Sequence, residues 1–411
     1  MKIPRHEATT AQLGATYPFV ASSPLRTERV LIGRDLYGSV FSYDPFDLYR
    51  SGELTNPNMV VLGQVGRGKS ALVKSYLYRQ FAQGRRIIVI DPKGEYGAFA
   101  TKVGGEVLRL APGEQTTFNP LDLLEPPAGG RNRSLLQAIL EGVTSASLGR
   151  KLGADEIVAL QLALRSLIEM GGPISLRRVA EQLVELNGVD ARSLQLSNAQ
   201  LREIGRMSAF ALYRLLGGEF SSMFDDGVRD SSKQSQIALS SKVLVVDVSA
   251  FYRSDALSVL LVALFGRLQD LVQHSEEQTI CVIDEAWAVL SNDHASAFVQ
   301  SFFKLARSYG VANVLVAHRP SDLVADSALV SGRVQGLVGD CETSVCYGLT
   351  AQESTLAGSL FGFNERQSEL LRQLRRGTAL WKVANRSFLI QHCLSGEERS
   401  FVDTDARMLL S

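Results

Sequence analysis

The residues with the clearest chemistry lie in one short loop, GQVGRGKS, at positions 63–70. Its three glycines allow backbone conformations that a side chain would prevent, so backbone amides can converge on phosphate oxygens. Lys69 can reach the β- and γ-phosphates of a nucleotide, and the hydroxyl of Ser70 can bind Mg²⁺. An aliphatic run precedes the loop and a helical pattern follows it, which is the context that this motif requires.

The loop therefore predicts a binding site for a nucleoside triphosphate with Mg²⁺. The N-terminus of the following helix adds partial positive charge, which favours a phosphate group in front of it. The alternative is a glycine-rich turn that binds nothing, and the flanking strand and helix patterns make this alternative the weaker one. The residues predicted to contact the nucleotide are Gly63, Gln64, Val65, Gly66, Arg67, Gly68, Lys69, Ser70 and Ala71.

Two carboxylates, Asp284 and Glu285, end a second aliphatic run in the segment TICVIDEAW. Asp284 has the position expected beside Mg²⁺, which it can hold through water or through Ser70. Glu285 can project toward the γ-phosphate and orient or deprotonate a water molecule, as hydrolysis requires. The pair could instead cap the next helix, and the intact phosphate loop makes that the minor interpretation.

Other features of the sequence indicate which nucleotide base is bound and which reaction is catalysed. The sequence contains no Asn-Lys-x-Asp tetrapeptide, with which small GTPases bind guanine, so adenine is favoured. A kinase usually supplies an acceptor base and a lid instead of an Asp-Glu pair, so hydrolysis is favoured over phosphoryl transfer. We therefore predict an ATPase with ATP and Mg²⁺ as its ligands.

Two further residues have positions that suit a role in hydrolysis. His318 ends a third aliphatic run, NVLVAHR, where a polar group can contact the γ-phosphate or the attacking water. A lone histidine is more often structural, and its position at a strand end favours the functional interpretation. Arg307 lies on the helical pattern that leads into this run. An arginine there is usually solvated, and the alternative is a finger that reaches the nucleotide of a neighbouring subunit.

The elements that must position these residues alternate between strands and helices, which predicts an α/β fold with a mainly parallel sheet. Predicted strands cover residues 59–62, 86–90, 106–110, 242–248, 279–285 and 313–319, with two short strands between 29 and 43. Predicted helices cover residues 71–83, 134–148, 155–170, 176–186, 198–216, 255–274 and 294–309. A closing β-hairpin is predicted over TALWKVANRSFLIQHCL, with its turn at Asn385-Arg386.

Four consecutive helical patterns without a strand between them predict an all-α insertion within the α/β chain. The segment PPAGG at 126–130 breaks the preceding pattern and marks where the insertion begins. The predicted organisation is a short β-containing N-terminal segment (1–55), the first part of the ATPase core (56–125), the all-α insertion (126–238) and the second part of the core (239–411).

The composition excludes several classes of protein. Hydrophobic residues make up 45% of the 411 residues, enough to bury a large core. Lys and Arg (43) balance Asp and Glu (43), so net charge draws the chain neither to nucleic acid nor to an anionic membrane. Four cysteines without a CxxC pair, and an N-terminus without a signal peptide, predict a reduced cytoplasmic protein. No apolar segment reaches the ~20 residues of a membrane span, so docking at the inner face of the membrane would be peripheral.

Six motifs in this order resemble the HerA/FtsK superfamily of P-loop motor ATPases, and most of all its TraC-like type IV secretion and conjugative-transfer ATPases. The motifs are GQVGRGKS, IIVIDPKGEYG, FNPLDLL, ICVIDEAW, FKLARSYGVANVLVAHRPSDL and RRGTALWKV. The resemblance implies a RecA-like P-loop NTPase fold of the ASCE type. It also implies a hexameric ring with ATP between subunits, and secretion or conjugation machinery as partners. Relatives of this type usually carry a long domain before the phosphate loop, and we expect a form without it.

The resemblance also implies roles for individual residues. Asp91 and Glu95 match acidic residues that lie at the nucleotide edge of the sheet in that family. Arg307 corresponds to the arginine finger, and His318 stands where a glutamine is common. The phosphate loop and the Asp-Glu pair correspond to the Walker A and Walker B motifs.

Two other functions stay open beside a motor for secretion or conjugation. One is a DNA-pumping translocase of the HerA/FtsK kind, and the other is a slow, ATP-gated assembly platform. The neutral net charge and the lack of a basic tract favour work on proteins. A pore loop needs only a few Lys or Arg per subunit, so DNA remains a candidate partner. Stimulation of hydrolysis by DNA separates the translocase from the other two functions.

Overall fold

The strands of the described residues form a single sheet in the computed structural model. The structure describes residues 25–402, apart from 115–117, 124–129, 187–196, 219, 222, 225–240, 253, 255, 291–292 and 325–327. The strands are β1 (Leu31–Asp35), β2 (Val40–Ser42), β3 (Met59–Leu62), β4 (Arg86–Asp91), β5 (Glu106–Arg109), β6 (Val243–Asp247), β7 (Thr279–Ile283), β8 (Val311–Ala317), β9 (Thr343–Cys346), β10 (Thr378–Val383) and β11 (Arg386–His392). Their order across the sheet is β2-β1-β11-β10-β9-β3-β8-β7-β4-β6-β5.

The sheet has a parallel part and an antiparallel part. The strands from β9 to β5 in this order run parallel to their neighbours. The remaining strands, β10, β11, β1 and β2, pair antiparallel. The predicted α/β fold with a mainly parallel sheet is therefore confirmed. Strand β9 joins the two parts, and its sequence, TSVC, is too short and too polar to predict it.

The helices cover both faces of the sheet. They are α1 (Pro45–Arg50), α2 (Lys69–Ala82), α3 (Gly97–Lys102), α4 (Gly130–Leu148), α5 (Ala154–Met170), α6 (Leu176–Glu185), α7 (Asn198–Gly217), α8 (Ala256–Gln273), α9 (Ala286–Leu290), α10 (Asp293–Ala306), α11 (Ala328–Gly339), α12 (Ala351–Phe361), α13 (Glu365–Gln373) and α14 (Gly396–Val402). Helices α4 to α7 follow one another between β5 and β6, where the all-α insertion is predicted. The predicted insertion boundaries at 126 and 238 lie outside the described residues.

Each central strand buries side chains on both faces of the sheet. In β3, Val60 and Leu62 join the core that α4 to α8 cover, whereas Met59 and Val61 join the core beneath α2. Successive side chains of a strand point to opposite faces, so a sheet covered on both sides needs continuous apolar strands. The strand interiors are therefore mainly apolar, and the predicted catalytic residues lie near the strand ends.

The N-terminal strand pair and the C-terminal hairpin lie side by side in the same sheet. Strand β1 pairs with β11, and Gly33 is opposite His392. A Cβ at Gly33 would lie 2.0 Å from the carbonyl oxygen of Gln391, so this close approach requires glycine. The predicted hairpin is present, and its two-residue turn is Ala384-Asn385, one residue earlier than expected. The described part of the N-terminal segment thus extends the antiparallel part of the sheet.

Helix α8 is long and apolar enough to cross a membrane by length and composition alone. Within the fold, 78% of its apolar window is buried. Leu260, Leu261 and Phe265 of this helix lie in the core on one face of the sheet. Burial of this extent is what a core helix of a large α/β domain requires.

The four cysteines are free, as their spacing predicts. Cys281 and Cys346 are buried in strands, whereas Cys341 and Cys393 are partly exposed. Burial raises the pKa of the Cys281 thiol to about 12, so this side chain is a neutral core residue.

Candidate active site

Three of the four predicted catalytic residues, Lys69, Glu285 and His318, lie at one edge of the parallel part of the sheet. The phosphate loop follows β3, the segment with Lys93 follows β4, the Asp-Glu pair follows β7, and His318 follows β8. Parallel strands place their carboxyl ends at the same edge, which is where open α/β sheets bind ligands. These segments border one cavity of about 580 Å³. Its wall includes Lys69, Ser70, Lys93, Glu95, Asp284, Glu285 and His318.

The phosphate loop is shaped by glycine and held by its lysine. Gly63 has a φ of 149°, and a Cβ there would lie 2.4 Å from the Cβ of Tyr347. The ammonium group of Lys69 donates to the carbonyl oxygen of Gly63 and, at 3.2 Å, to that of Gln64. Burial lowers the pKa of Lys69 to about 8. An anionic phosphate beside this group would favour its charged form, so the loop is suited to phosphate.

Asp284 is a buried carboxylate directly after β7. Asp284 is only 5% exposed, and its Oδ1 accepts a 2.9 Å hydrogen bond from the backbone N–H of Glu285. Burial raises the pKa of Asp284 to about 6, and the nearby carboxylates of Glu285 and Asp91 act in the same direction. A cation beside Asp284 would stabilise the charged carboxylate, as expected of a group that faces Mg²⁺.

Glu285 has an uncommon backbone conformation and is held by three side chains. Its φ of 47° lies in the left-handed region that residues other than glycine rarely adopt. Its Oε1 lies 2.5 Å from Nζ of Lys93 and 2.7 Å from Nε2 of His318. The indole N–H of Trp287 donates to Oε2 at 2.6 Å. Burial alone would raise the pKa of Glu285, but the hydrogen bonds from His318, Lys93 and Trp287 outweigh it and lower the pKa to about 2.

His318 connects the third strand end to this carboxylate. Its Nε2 lies 3.0 Å from Nζ of Lys93 in addition to its contact with Glu285. The backbone N–H groups of His318 and Arg319 both donate to Oδ2 of Asp322, at 3.1 and 2.8 Å. The turn after β8 is thereby fixed, and it directs the imidazole into the cavity that holds Glu285.

The two acidic residues after β4 have different surroundings. Asp91 is fully buried, and its carboxylate accepts hydrogen bonds from the backbone N–H groups of Lys93, Gly94 and Tyr96 at 2.9–3.1 Å. Asp91 therefore holds the loop that carries Lys93, and its contact with a nucleotide stays a prediction. Glu95 borders the same cavity as the phosphate loop, and its contact with a nucleotide also stays a prediction.

The opposite wall of the cavity, which sequence reasoning missed, comes from the C-terminal hairpin and α14. Its residues are Arg376, Gly377, His392, Leu394, Arg399 and Val402. The backbone N–H of Gly377 donates to the carbonyl oxygen of Arg67 at 2.9 Å, which joins the start of β10 to the phosphate loop. The only sequence signal is the motif RRGTALWKV. Its spacing does not reveal that residues more than 300 positions after the loop contact it.

Arg307 lies at the opposite edge of the sheet. It is exposed, in a short 3₁₀ turn just before β8. Strand β8 has seven residues, so at about 3.3 Å per step its two end residues are about 20 Å apart. An arginine side chain does not bridge that distance, and Arg307 borders neither of the cavities at the carboxyl edge. Arg307 is thus separated from the other predicted catalytic residues of its own chain.

The oxygen donors in the cavity suit Mg²⁺ that arrives with a nucleotide. Among the residues that the structure describes, no cluster of three or more His, Cys, Asp or Glu could hold a metal ion. Mg²⁺ usually takes one or two protein oxygens and completes its shell with phosphates and water. The hydroxyl of Ser70 and the carboxylate of Asp284 border the same cavity and are donors of this kind.

Comparisons with known proteins show what this chain is similar to. Residues 49–127 match the family described as Helicase HerA, central domain. The chain is 25% identical over 327 residues to the type IV secretion system protein virB4 of Bartonella quintana. The aligned region covers 78% of this chain and 38% of that protein. It is 24% identical over 385 residues to the type IV secretion system protein PtlC of Bordetella pertussis. Here the aligned region covers 90% of this chain and 43% of that protein. The chain thus spans less than half the length of these curated relatives.

Solved structures share this fold over most of the chain. The structure of VirB4 of Thermoanaerobacter pseudethanolicus has a TM-score of 0.71 at 22% identity and covers 92% of this chain and 100% of that one. The plasmid coupling protein TrwB in complex with ADP and Mg²⁺ has a TM-score of 0.60 at 16% identity and covers 91% and 92%. The chain therefore has a P-loop NTPase fold. The HerA family match and the two type IV secretion relatives confirm its predicted resemblance to HerA-type ATPases of type IV secretion.

Proposed function

We propose that the chain is the ATP-hydrolysing motor part of a conjugative-transfer or type IV secretion system. The observation that carries this proposal is the single cavity in which Lys69 and Ser70 face Asp284 and Glu285. A phosphate-binding lysine, oxygen donors for Mg²⁺ and a charged carboxylate are the groups that hydrolysis of a nucleoside triphosphate needs. Two relatives are type IV secretion system proteins by name, which supports the assignment of the cellular process.

ATP would bind with its β- and γ-phosphates at the loop of residues 63–70. Lys69 would exchange its bonds to the loop carbonyl groups for bonds to phosphate oxygens, and the N-terminus of α2 adds its partial positive charge. Ser70 and Asp284 would hold Mg²⁺, which neutralises negative charge on the phosphates. The TrwB structure, which contains ADP and Mg²⁺, supports a bound nucleotide in this fold.

Glu285 is the proposed acceptor for the proton of the attacking water. The water oxygen forms a bond to the γ-phosphorus, and the bond from that phosphorus to the β–γ bridging oxygen breaks. The electron pair of the broken bond leaves with ADP, and the proton of the water moves to Glu285. His318, with Nε2 2.7 Å from the carboxylate, orients Glu285 and in this way keeps a role near the γ-phosphate.

Arg307 is proposed to act on the nucleotide of a neighbouring copy. It is exposed and lies at the far edge of the sheet from its own cavity, so it can assist catalysis only in an assembly. A closed ring allows each subunit to present the same residue to the next site, and a hexamer is the ring that we propose. The proposed partners are proteins of the secretion or conjugation machinery at the inner face of the cell membrane.

Turnover by the purified chain tests this function. We expect hydrolysis of ATP in the presence of Mg²⁺, and we expect Lys69→Ala to abolish it because the lysine is the point charge on the phosphates. Circular dichroism checks that the variant is folded. Normal ATPase activity in a folded Lys69→Ala protein would contradict the assignment of the phosphate site. A rate that increases on addition of DNA would favour the DNA-pumping translocase over a motor that acts on proteins.

A further inference from the structure

Lys93 contacts the proposed catalytic carboxylate but has no role in the reaction described so far. Its Nζ lies 2.5 Å from Oε1 of Glu285 and 3.0 Å from Nε2 of His318. It borders both cavities beside the phosphate loop, and 32% of its side chain is exposed. The ammonium group therefore lies between Glu285 and the space that the phosphate loop borders.

The backbone of Lys93 is fixed, whereas its ammonium group is not. The carboxylate of Asp91 accepts hydrogen bonds from the N–H groups of Lys93, Gly94 and Tyr96, and Asp91 is fully buried. A lysine side chain has four rotatable bonds beyond such a fixed backbone and a compact charge that needs no planar partner. Lys93 can consequently exchange one anionic partner for another without movement of the loop.

The two lysines at this cavity are bonded to groups of different charge. Lys69 is bonded to neutral carbonyl oxygens, whereas Lys93 is paired with a carboxylate. A bare carboxylate would repel a γ-phosphate, so Lys93 compensates Glu285 while no phosphate is near. The γ-phosphate of ATP is a second anion that competes for the same ammonium group. ADP ends one phosphate earlier and offers no such competitor.

We propose, building on the ATPase function proposed above, that Lys93 is the residue that distinguishes ATP from ADP. Its ammonium group donates to Glu285 when ADP or no nucleotide is present, and it transfers to an oxygen of the γ-phosphate when ATP binds. Glu285 then loses its contact with Lys93 but keeps those with His318 and Trp287. Its carboxylate can now accept the proton of the attacking water. Bond formation to the γ-phosphorus and departure of ADP with its electron pair follow as above.

Nucleotide affinity without turnover tests this role. Binding of ADP and of a non-hydrolysable ATP analogue, each with Mg²⁺, is measured by calorimetry on the full chain. Lys93→Met keeps the length of the side chain and removes its charge. We expect it to weaken binding of the analogue by about 10-fold or more, the scale of a hydrogen bond to a charged group, and to leave ADP binding unchanged. Lys93→Arg keeps the charge and is expected to retain most of the preference for the analogue.

Lys102 provides a matched control for the removal of a paired lysine. Its side chain is 35% exposed, close to the value for Lys93, and its Nζ lies 2.8 Å from a carboxylate oxygen of Glu397. Lys102 lies on α3 and borders neither cavity at the carboxyl edge. Lys102→Met is expected to leave the affinities for both nucleotides unchanged.

Fluorescence of Trp287 gives a second readout, because its indole N–H is bonded to Glu285. The chain contains two tryptophans, and the other, Trp381, is buried in the core. In a Trp381→Phe background, the ATP analogue is expected to change the emission of Trp287, while ADP leaves it close to that of the free protein. Addition of Lys93→Met is expected to remove this difference between the two nucleotides.

The outcomes separate this proposal from the function on which it rests. If the unmodified chain binds neither nucleotide, the nucleotide site itself is wrong and the role of Lys93 is lost with it. If the chain binds both, but Lys93→Met weakens both equally or neither, the site stands and the proposal for Lys93 is overturned. An ATP-specific change of Trp287 emission that persists in Lys93→Met overturns it as well.

Discussion

The two edges of the parallel sheet differ in burial and in the charges that they carry. At the carboxyl edge, Lys69, Asp284 and Glu285 are 5%, 5% and 3% exposed, and each has a hydrogen-bond partner. At the amino edge, Arg307 is exposed, and β8, which separates the two edges, is about 20 Å long at about 3.3 Å per step. Burial and these hydrogen bonds fix the positions of the three side chains at the carboxyl edge. An exposed arginine acquires a fixed geometry only when another surface covers it.

In the function that we propose, one chain carries two parts of a catalytic site that do not meet within it. The carboxyl edge would supply phosphate binding, Mg²⁺ ligands and the proton acceptor, and the amino edge would supply the arginine. In a ring, the amino edge of one subunit would complete the carboxyl edge of the next. Hydrolysis that depends on assembly is then a consequence of where the residues lie along the strands.

The largest expected effect comes from the amino edge. Arg307→Ala is expected to lower turnover by about 10³–10⁵-fold, the range for arginine fingers, while each subunit still binds ATP. Wild-type specific activity is expected to rise with protein concentration because the arginine acts between subunits. Steady-state ATPase rates over a concentration series measure both effects. Lys304→Ala, an exposed change one helical turn earlier, is the matched control and should keep the wild-type rate.

Mixing of variants tests whether the two edges meet in an assembly. A subunit with Arg307→Ala retains Glu285, and a subunit with Glu285→Gln retains Arg307. An interface between the two contains one intact site, so the mixture is expected to recover part of the activity. Near-wild-type rates for Arg307→Ala, with activity independent of concentration, would remove support for the ring and leave a monomeric ATP switch.

A smaller loss is expected from the carboxyl edge. Glu285→Gln keeps the shape of the side chain and removes its charge, so ATP binding is retained and hydrolysis falls by about 10²–10⁴-fold. Single-turnover rates and binding affinities separate the two effects. Glu277→Gln is the control, because Glu277 also pairs with a lysine, Lys242, but on the surface. Collapse of ATP binding in Glu285→Gln would instead identify Glu285 as a structural residue or a Mg²⁺ ligand.

The carboxyl edge could be predicted from the sequence because its residues follow apolar runs directly. Lys69, Asp284 and His318 each stand within a few positions of a strand end, and parallel strands bring such ends together. The cavity wall from the C-terminal hairpin could not be predicted in this way. His392 borders the same cavity as the phosphate loop because β9, a strand too short and polar to recognise, joins the hairpin to β3.

The partners of Glu285 also could not be predicted. Lys93 lies in a loop that the hydrogen bonds of Asp91 hold, and Trp287 lies in the first turn of α9, two positions after Glu285 with its positive φ. Pattern and propensity specify that a strand ends, but they do not specify the direction of the side chains that follow. The paired arrangement of Lys93 with Glu285 is therefore a result that only the structure could supply.

The smallest expected effect is a change of stability with pH, caused by His392 in the cavity wall from the C-terminal hairpin. His392 lies at the carboxyl end of β11, with Nε2 2.9 Å from Oγ of Ser75 on α2. Burial, with a smaller effect of the Arg79 charge, lowers the pKa of His392 from 6.5 to about 4. Below pH 6.5 the unfolded chain binds a proton that the folded chain does not. The stability that His392 provides is thus complete above pH 6.5 and is lost as the pH falls toward 4.

Urea unfolding at pH 7.5 and pH 5 measures this contribution of the carboxyl edge. Because the pKa of His392 is lowered on folding, we expect the free energy of unfolding of the wild type to be about 2 kcal/mol lower at pH 5 than at pH 7.5 on account of this residue. His392→Gln keeps a polar group near Ser75 but cannot take up the proton, so its loss should be smaller by that amount. Arg307→Ala is the comparison at the amino edge because it removes an exposed side chain and no histidine, and its pH dependence should match the wild type. An equal pH dependence for His392→Gln and the wild type would show that His392 is not buried in its neutral form.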